Sequence, residues 1–202
     1  MYSATKNIYA IILAAGESSR FGSPKQLADW QENNLLQHSI NITKSLFDKN
    51  IIVVLGANAG LIQSRLNESE ITIETNNDWQ LGISSSIRAG IKALPEDTEA
   101  VMILLCDQPL LEKSSLKKLI DLWQQRSGSI VASEYQDKPG VPAIFPAAFF
   151  SQLKSLQGDK GAKQLLMSMK EQVLTISVPE ASIDIDTQKD FNDLKMKCNS
   201  YV

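Results

Sequence analysis

Histidine occurs once and cysteine twice in these 202 residues, and that scarcity removes several chemistries at the outset. Cys106 and Cys198 lie far apart without C-x-x-C spacing, so neither a disulfide framework nor a zinc site is expected, and a reducing, cytoplasmic setting fits. The lone His38 falls inside a predicted amphipathic helix and reads as helix surface or satisfied core. Positive charge is not in excess either: 20 Lys and Arg stand against 23 Asp and Glu, a net charge of −3. That balance argues against a general nucleic-acid binder and for a small ligand in a local basic pocket. Long apolar runs are missing as well. Met1 to Asn7 leads into only six apolar residues, too few for a signal h-region or a membrane span, so a soluble protein is expected. No repeat, low-complexity tract or linker interrupts the chain. With 43% hydrophobic residues, 202 positions suffice for one sizeable core, and one domain over 1–202 is expected.

What is present is a rhythm of short apolar runs alternating with segments of helical period. Strands are expected at Ile8–Leu13, Ile51–Leu55, Ile71–Glu74, Ala100–Cys106 and Ser129–Ser133. Helices are expected at Asn34–Asp48, Ala59–Leu66, Ile83–Lys92 and Ser114–Gln125. Such βαβ units give a mostly parallel sheet with helices on both faces. After Pro139 the rhythm changes to a short strand Ala143–Phe145, helical stretches near Ala147–Leu153 and Gly161–Met169, a strand Val173–Ser177 and a last helix Thr187–Cys198. This change is read as a cap over the sheet, built in part from an antiparallel element.

Ligands of open α/β sheets bind beyond the carboxyl ends of the strands. After the first strand comes Leu13-Ala14-Ala15-Gly16-Glu17-Ser18-Ser19-Arg20-Phe21-Gly22-Ser23-Pro24-Lys25, which fits neither G-x-G-x-x-G nor the P-loop spacing. Ala14, Ala15 and Gly16 are small enough for a ligand to press against backbone, and their N–H groups can face phosphate oxygens. Arg20 and Lys25 add two positive charges where a polyphosphate needs neutralising. A glycine-rich turn with two solvated basic side chains is the plain alternative. Asp107, after the apolar strand Ala100–Cys106, is placed to hold a divalent cation, or to initiate the turn before Gln108-Pro109. Asp186 would supply a second carboxylate, or cap the last helix. Asn76, Gly82 and Ser85 belong to a strand-to-helix joint whose N–H groups and hydroxyls either read a base or ribose or cap the helix. Trp79 there is either a lid or a half-buried loop residue.

Leu13-Ala14-Ala15-Gly16-x-Ser18-x-Arg20-Phe21-Gly22-x-x-Lys25, Asn77-x-Trp79-x-x-Gly82-x-x-x-Ser86, Cys106-Asp107-Gln108-Pro109, Gly140-x-Pro142-x-x-Phe145, Gly158-Asp159-x-Gly161-Ala162 and Asp184-Ile185-Asp186-Thr187 together resemble the nucleotidyltransferases of molybdenum cofactor maturation. The resemblance covers nearly the whole chain. It implies a three-layer α/β/α sandwich, Rossmann-like and mostly parallel with one reversed strand, of the nucleotide-diphospho-sugar-transferase kind. It also implies transfer of CMP from CTP to the terminal phosphate of molybdopterin, with release of pyrophosphate and delivery of the product to a recipient molybdoenzyme. The acceptor phosphate is then the nucleophile, and no side-chain nucleophile is required. By that resemblance Asp107 and Asp186 ligate Mg²⁺, and a hard oxygen site accepts Mn²⁺ as well. Arg20 and Lys25 hold the triphosphate and stabilise charge at the α-phosphorus, Leu13 to Gly16 lie along the nucleotide, and Pro142, Gly158, Asp159, Gly161 and Ala162 face the acceptor. GTP-using relatives tend to carry Leu-Ala-Gly-Gly where this chain has Leu13-Ala14-Ala15-Gly16, which tilts the base toward cytosine. Val141 departs from the polar residue that many cytidylyltransferase relatives have before the proline, and this leaves the acceptor open. A same-fold transferase using GTP or a sugar phosphate, and a non-catalytic cofactor-binding chaperone, are the other readings.

Overall fold

A strand without polar residues needs cover on both faces, and the middle of this sheet is made of such strands. A computed structural model of the protein describes residues 7–67 and 69–199. In chain order it contains β1 (Ile8–Ala14), a short antiparallel pair β2 (Asp29–Trp30) and β3 (Asn33–Asn34), α1 (Leu35–Phe47), β4 (Ile51–Leu55) and α2 (Ala59–Gln63). Then come β5 (Thr72–Thr75), α3 (Ile83–Lys92), β6 (Ala100–Leu105), α4 (Lys113–Gln125), β7 (Ile130–Tyr135) and β8 (Lys138–Pro146). The chain continues through α5 (Phe150–Ser155), α6 (Ala162–Ser168), β9 (Val173–Ser177) and α7 (Gln188–Asn199). The main sheet has the order β5-β4-β1-β6-β8-β7-β9.

Side chains alternate along a strand, and β1 divides its residues accordingly. Ile8, Ala10, Ile12 and Ala14 join one buried cluster with α1, α2 and α4. Ile11, Leu13 and Ala15 join the other, against α3, α5 and α6. The result is helices on both sides of a mostly parallel sheet, in three layers. Asn34 starts α1 by accepting the Gln37 N–H at 2.8 Å, an N-cap. Among the described residues no helix is long and apolar enough to cross a membrane.

The stretch after Pro139 is not a cap over the sheet. β8 enters the sheet between β6 and β7 and runs antiparallel to both, so it is the one reversed strand. Its length is hidden in the sequence because Pro139 and Pro142 lack the N–H a ladder wants. The two-residue turn that leads into it, Gln136-Asp137, has φ of 53° and 59°, a left-handed pair without the glycine that advertises such hairpins. A bulge between Ala132 and Ser133 takes up the irregularity, and the Ser133 hydroxyl donates to the Pro142 carbonyl at 2.8 Å.

A third cluster lies outside the sandwich and builds the site. Phe21, Trp30, Leu35, Ile185, Phe191 and Leu194 pack together, with the Phe21 and Phe191 rings edge to face at 5.8 Å. The loop after β1 is thereby anchored by an apolar side chain to α7, the last helix.

Candidate active site

The loop after β1 is closed on itself and tied down from beneath. The N–H groups of Phe21 and Gly22 donate to the Ser18 carbonyl at 2.9 and 3.1 Å, with Ser18 at φ 61°. Ala14 and Ala15 are buried, while Gly16, Glu17, Ser19 and Arg20 face solvent. Lys25 opens a single 3-10 turn over Lys25–Leu27, so Lys25 and Gln26 leave the same turn in different directions. Gln26 is almost fully buried, and its carboxamide donates to the carbonyls of Ala14 and Gly16.

The tip of β6 stands beside that loop. Cys106 N–H donates to the Leu13 carbonyl at 3.3 Å, and Asp107 follows. Lys25 Nζ lies 2.5 Å from Asp107 Oδ2, 2.8 Å from the Ile185 carbonyl and 3.6 Å from Asp186 Oδ1. Ile185 N–H donates to the Asp107 carbonyl at 3.0 Å, and Arg20 reaches Asp186 Oδ2 at 3.1 Å. Burial pulls the Lys25 ammonium down, but the charge and hydrogen bond of Asp107 outweigh it and hold the group above its usual value. The structure thus brings Arg20, Lys25, Asp107 and Asp186, from three distant parts of the sequence, into one network.

Whether Asp186 is spent on capping is answered by its neighbours. Asp190 Oδ2 accepts from the Thr187 N–H and hydroxyl at 2.9 and 2.7 Å, while Asp190 N–H donates to Thr187 Oγ1 at 3.1 Å. That reciprocal pair caps α7 without Asp186 and holds the Asp190 carboxyl below the ordinary range. The carboxylates of Asp107 and Asp186 suit a hard divalent cation. Asp107 Oδ1 is buried with no protein partner, an open acceptor of the kind a cation satisfies. Among the described residues no cluster of three or more His, Cys, Asp or Glu is placed to hold a metal, so a cation there needs substrate oxygens to complete its shell.

Neighbouring groups support this tip without joining the chemistry. Burial, with the charge of Asp107, pushes the Cys106 thiol up to about 12, which keeps it neutral and a poor nucleophile or ligand. Ser39 Oγ donates to the Cys106 carbonyl at 3.4 Å, and His38 Nε2–H donates to the Pro109 carbonyl at 3.1 Å. His38 is therefore a satisfied, half-buried residue whose burial lowers its pKa below 6.5. A folded value below the unfolded one contributes stability that is present above pH 6.5 and is lost as pH falls through the folded value. The midpoint of thermal unfolding is accordingly expected to drop more between pH 7.5 and pH 5 in the native protein than in His38→Gln. Equal drops would show that His38 does not carry the effect.

The second edge differs from the sequence reading in what its side chains do. Asn76 is 5% exposed, and its Nδ2 is taken by Ser85 Oγ at 2.8 Å and Ser86 Oγ at 3.0 Å. Its Oδ1 accepts the Asp78 N–H at 3.0 Å, and Ser85 Oγ donates to the Gly82 carbonyl at 2.7 Å. These groups fix the shape of the 76–82 loop and do not stand free as donors. Trp79 is half-buried against the α3 face. The same loop meets the stretch expected on the acceptor side: Ser84 N–H donates to the Gly158 carbonyl at 3.2 Å, and Gly82 sits against Gly158 and Asp159. Gly158 and Asp159 are exposed and Gly161 half-buried, whereas Ala162 is buried at the start of α6 and Pro142 inside β8. Gln108 links β8 to the tip of β6 by donating to the Ala181 carbonyl at 2.7 Å and the Val141 carbonyl at 3.4 Å.

Two residues at the site were not singled out from the sequence. Gln26 gives no signal, since a buried glutamine reads like a surface one. Asp184 stood in a quoted motif without a role. Its carboxyl is pushed up to about 6 by burial and by the charge of Asp107, with Gln108 and Lys25 holding it back.

An open sheet with polar loops gathered at the carboxyl ends of β1 and β6 defines the class, a nucleotide-handling α/β/α sandwich. The MobA-like NTP transferase domain matches residues 10–173, and the chain belongs to that family of nucleotidyltransferases. Among curated relatives, the bifunctional protein GlmU of Ruthia magnifica subsp. Calyptogena magnifica is 39% identical over 136 residues, 66% of this chain. The match spans only 29% of that protein's length. The molybdenum cofactor cytidylyltransferase of Escherichia coli strain K12 is 29% identical over 185 residues, 91% of this chain and 93% of its own. Nicotine blue oxidoreductase of Paenarthrobacter nicotinovorans is 29% identical over 191 residues, 89% and 92% of the two chains. Among solved structures, Rv0371c of Mycobacterium tuberculosis H37Rv in complex with manganese superposes with a TM-score of 0.78 at 26% identity, covering 93% of this chain and 97% of that one.

Proposed function

We propose that the protein transfers CMP from CTP to the terminal phosphate of molybdopterin and releases pyrophosphate. One observation carries the transferase site: the loop after β1, the tip of β6 and the segment around Ile185 all meet on Lys25. An oxygen of the acceptor phosphate attacks the α-phosphorus of CTP, and the bond from that phosphorus to the bridging oxygen breaks. Pyrophosphate leaves with the bonding electron pair. The protein's contribution is positioning and charge. Leu13, Ala14, Ala15 and Gly16 give the nucleotide a close backbone surface, while Asn76, Gly82 and Ser85 shape the wall at the far edge. Arg20 and Lys25 balance the phosphates and the departing pyrophosphate. Asp107 and Asp186 would hold Mg²⁺ or Mn²⁺, which supplies charge neutralisation when bound. A manganese complex of a structural neighbour supports a divalent cation in this family. Gly158, Asp159 and Gly161 would meet the acceptor, with Pro142 and Ala162 as buried supports.

Cytosine and molybdopterin are favoured by the Escherichia coli relative, which this chain matches over nearly the full length of both, and by Ala15 in the first loop. A second reading, transfer from another nucleotide or to another phosphorylated acceptor, draws on the 39% identity to part of GlmU. The test is pyrophosphate release by purified protein with Mg²⁺ and freshly prepared molybdenum cofactor, run in parallel with CTP, GTP, ATP and UTP. Release is expected with CTP alone and only when the cofactor is present. Release with another base, or with CTP but a different acceptor, moves the assignment to the second reading. No release with any nucleotide, from folded protein shown to bind the cofactor, overturns the cytidylyltransferase reading and moves the assignment to another phosphorylated acceptor or to a non-catalytic cofactor-binding role.

A further inference from the structure

The carboxamide of Gln26 lies at the one place where it touches the loop after β1 from inside the protein. Nε2 donates to the Ala14 carbonyl at 2.8 Å and to the Gly16 carbonyl at 2.9 Å, and Oε1 accepts from Ser18 Oγ at 3.3 Å. Only 1% of the residue is exposed. Both amide hydrogens are used, and the opposite orientation would set an oxygen against two carbonyls, so the network fixes which atom is which. Only asparagine shares this pairing of two hydrogens on one uncharged atom with an acceptor beside it, and it is one methylene too short for this reach. Glutamate would face two carbonyl oxygens with a buried carboxylate, and methionine would leave both carbonyls unpaired.

The consequence follows from the planarity of the trans peptide, in which C=O and the next N–H point opposite ways. Holding the carbonyls of Ala14 and Gly16 toward Gln26 turns the N–H groups of Ala15 and Glu17 away from it. The intervening peptide is oriented separately, because the Ala15 carbonyl accepts from Ala57 N–H at 3.0 Å. Three successive peptide planes are thus set by contacts from the protein interior before any ligand arrives. Among the described residues no protein acceptor takes the N–H of Gly16 or Glu17. Fixed donors that need no rearrangement bind an anion more tightly than donors that must first be ordered.

We propose that Gln26 is a positioning residue for the triphosphate: it acts through the 14–18 backbone, aiming its N–H groups at the phosphates, and touches no substrate itself. This rests on the reading of that loop as the triphosphate cradle. The test compares the full-length native protein with Gln26→Met, which keeps the volume and removes the donors, using the α,β-methylene analogue of CTP and CMP as ligands with Mg²⁺ present. In the native protein the triphosphate analogue is expected to bind more tightly than CMP. Gln26→Met is expected to weaken the analogue at least tenfold while CMP changes less than twofold. In turnover its KM for CTP should rise at least tenfold with the acceptor KM unchanged, whereas a purely structural role would lower the active fraction, and so kcat, without moving KM. Unchanged analogue affinity and KM in folded Gln26→Met overturn the proposal. Should Gln26→Met not fold, Ser18→Ala removes the hydroxyl that orients the carboxamide. A loss of two- to fivefold in the same ligand is expected there, and no loss overturns the proposal. A native protein that binds the analogue no better than CMP overturns the cradle reading itself, which separates the two failures.

Discussion

Asp107→Ala is expected to fold normally and to release no pyrophosphate above background, a fall of at least about 10³-fold in kcat, the upper range for losing one preorganised charge-stabilising group. Loss of the Asp107 carboxylate does not strand Lys25, because the ammonium keeps the Ile185 carbonyl and the Asp186 carboxylate. It also removes a buried oxygen that has no protein partner. The midpoint of urea unfolding should shift by the equivalent of about 1.5–3 kcal/mol, the scale of one hydrogen bond to a charged group. Lys25→Ala should abolish turnover equally but cost more stability, since it leaves the Asp107 and Asp186 carboxylates facing each other without their shared cation. The ammonium is held above its usual 10.5, so the pair's contribution is fully present below pH 10.5 and lost only above it. The difference between native protein and Lys25→Ala should be flat from pH 8 to pH 9 and change only toward pH 6, where the Asp184 carboxyl that Lys25 holds back gains its proton. Near-normal turnover in folded Asp107→Ala would sink the assignment of Asp107 to the reacting phosphates or their cation.

Gly82→Ala is the second large effect, and it acts on shape. Gly82 has φ 88° and ψ 176°, a conformation that is open to glycine and strained for alanine. A methyl group built there would come within 2.6 Å of the Gly158 carbonyl carbon and oxygen and of an Asp159 carboxylate oxygen. Backbone strain of about 1–3 kcal/mol adds to overpacking of about 1–3 kcal/mol, so a loss of about 2–6 kcal/mol is expected. The substitution lies far in sequence from residues 157–162, yet amide exchange there should accelerate, because the Ser84 N–H to Gly158 bond that docks this stretch is broken. A variant as stable as the native protein, with residues 157–162 equally protected, would show that the two loops are not packed as described.

The sequence displays its strands because a sheet covered on both faces leaves apolar runs, and β1, β4 and β6 fall where those runs lie. It displays Asp107 because a carboxylate just past the apolar run Ala100–Cys106 is conspicuous, while Lys25 stands out at the end of a glycine-punctuated loop and Asp186 in the run Asp184-Ile185-Asp186-Thr187. β8 is invisible beyond Ala143–Phe145 for a local reason, two prolines and a left-handed turn built from Gln136 and Asp137. The internal use of Asn76 is hidden for a different reason. Whether a carboxamide faces a ligand or a pair of serines is decided by the packing of α3 on β4 and β5, which no local pattern encodes. Gln26 belongs to the same class. That Thr187 and Asp190 cap α7 together, without the Asp186 side chain, is likewise visible only in the folded chain.

Ile185 is buried between the N-terminal loop and α7, and its backbone links both partners of the central ion pair, the N–H to the Asp107 carbonyl and the carbonyl to Lys25. Because a ribosome delivers the chain from its N-terminus, β1, its loop and β6 emerge long before residue 185 does. A nascent chain can therefore pair most of its strands while the centre around Lys25 and Asp107 still lacks one wall. Arrival of the segment around residue 185, and not folding of the sheet, is the event that assembles this centre.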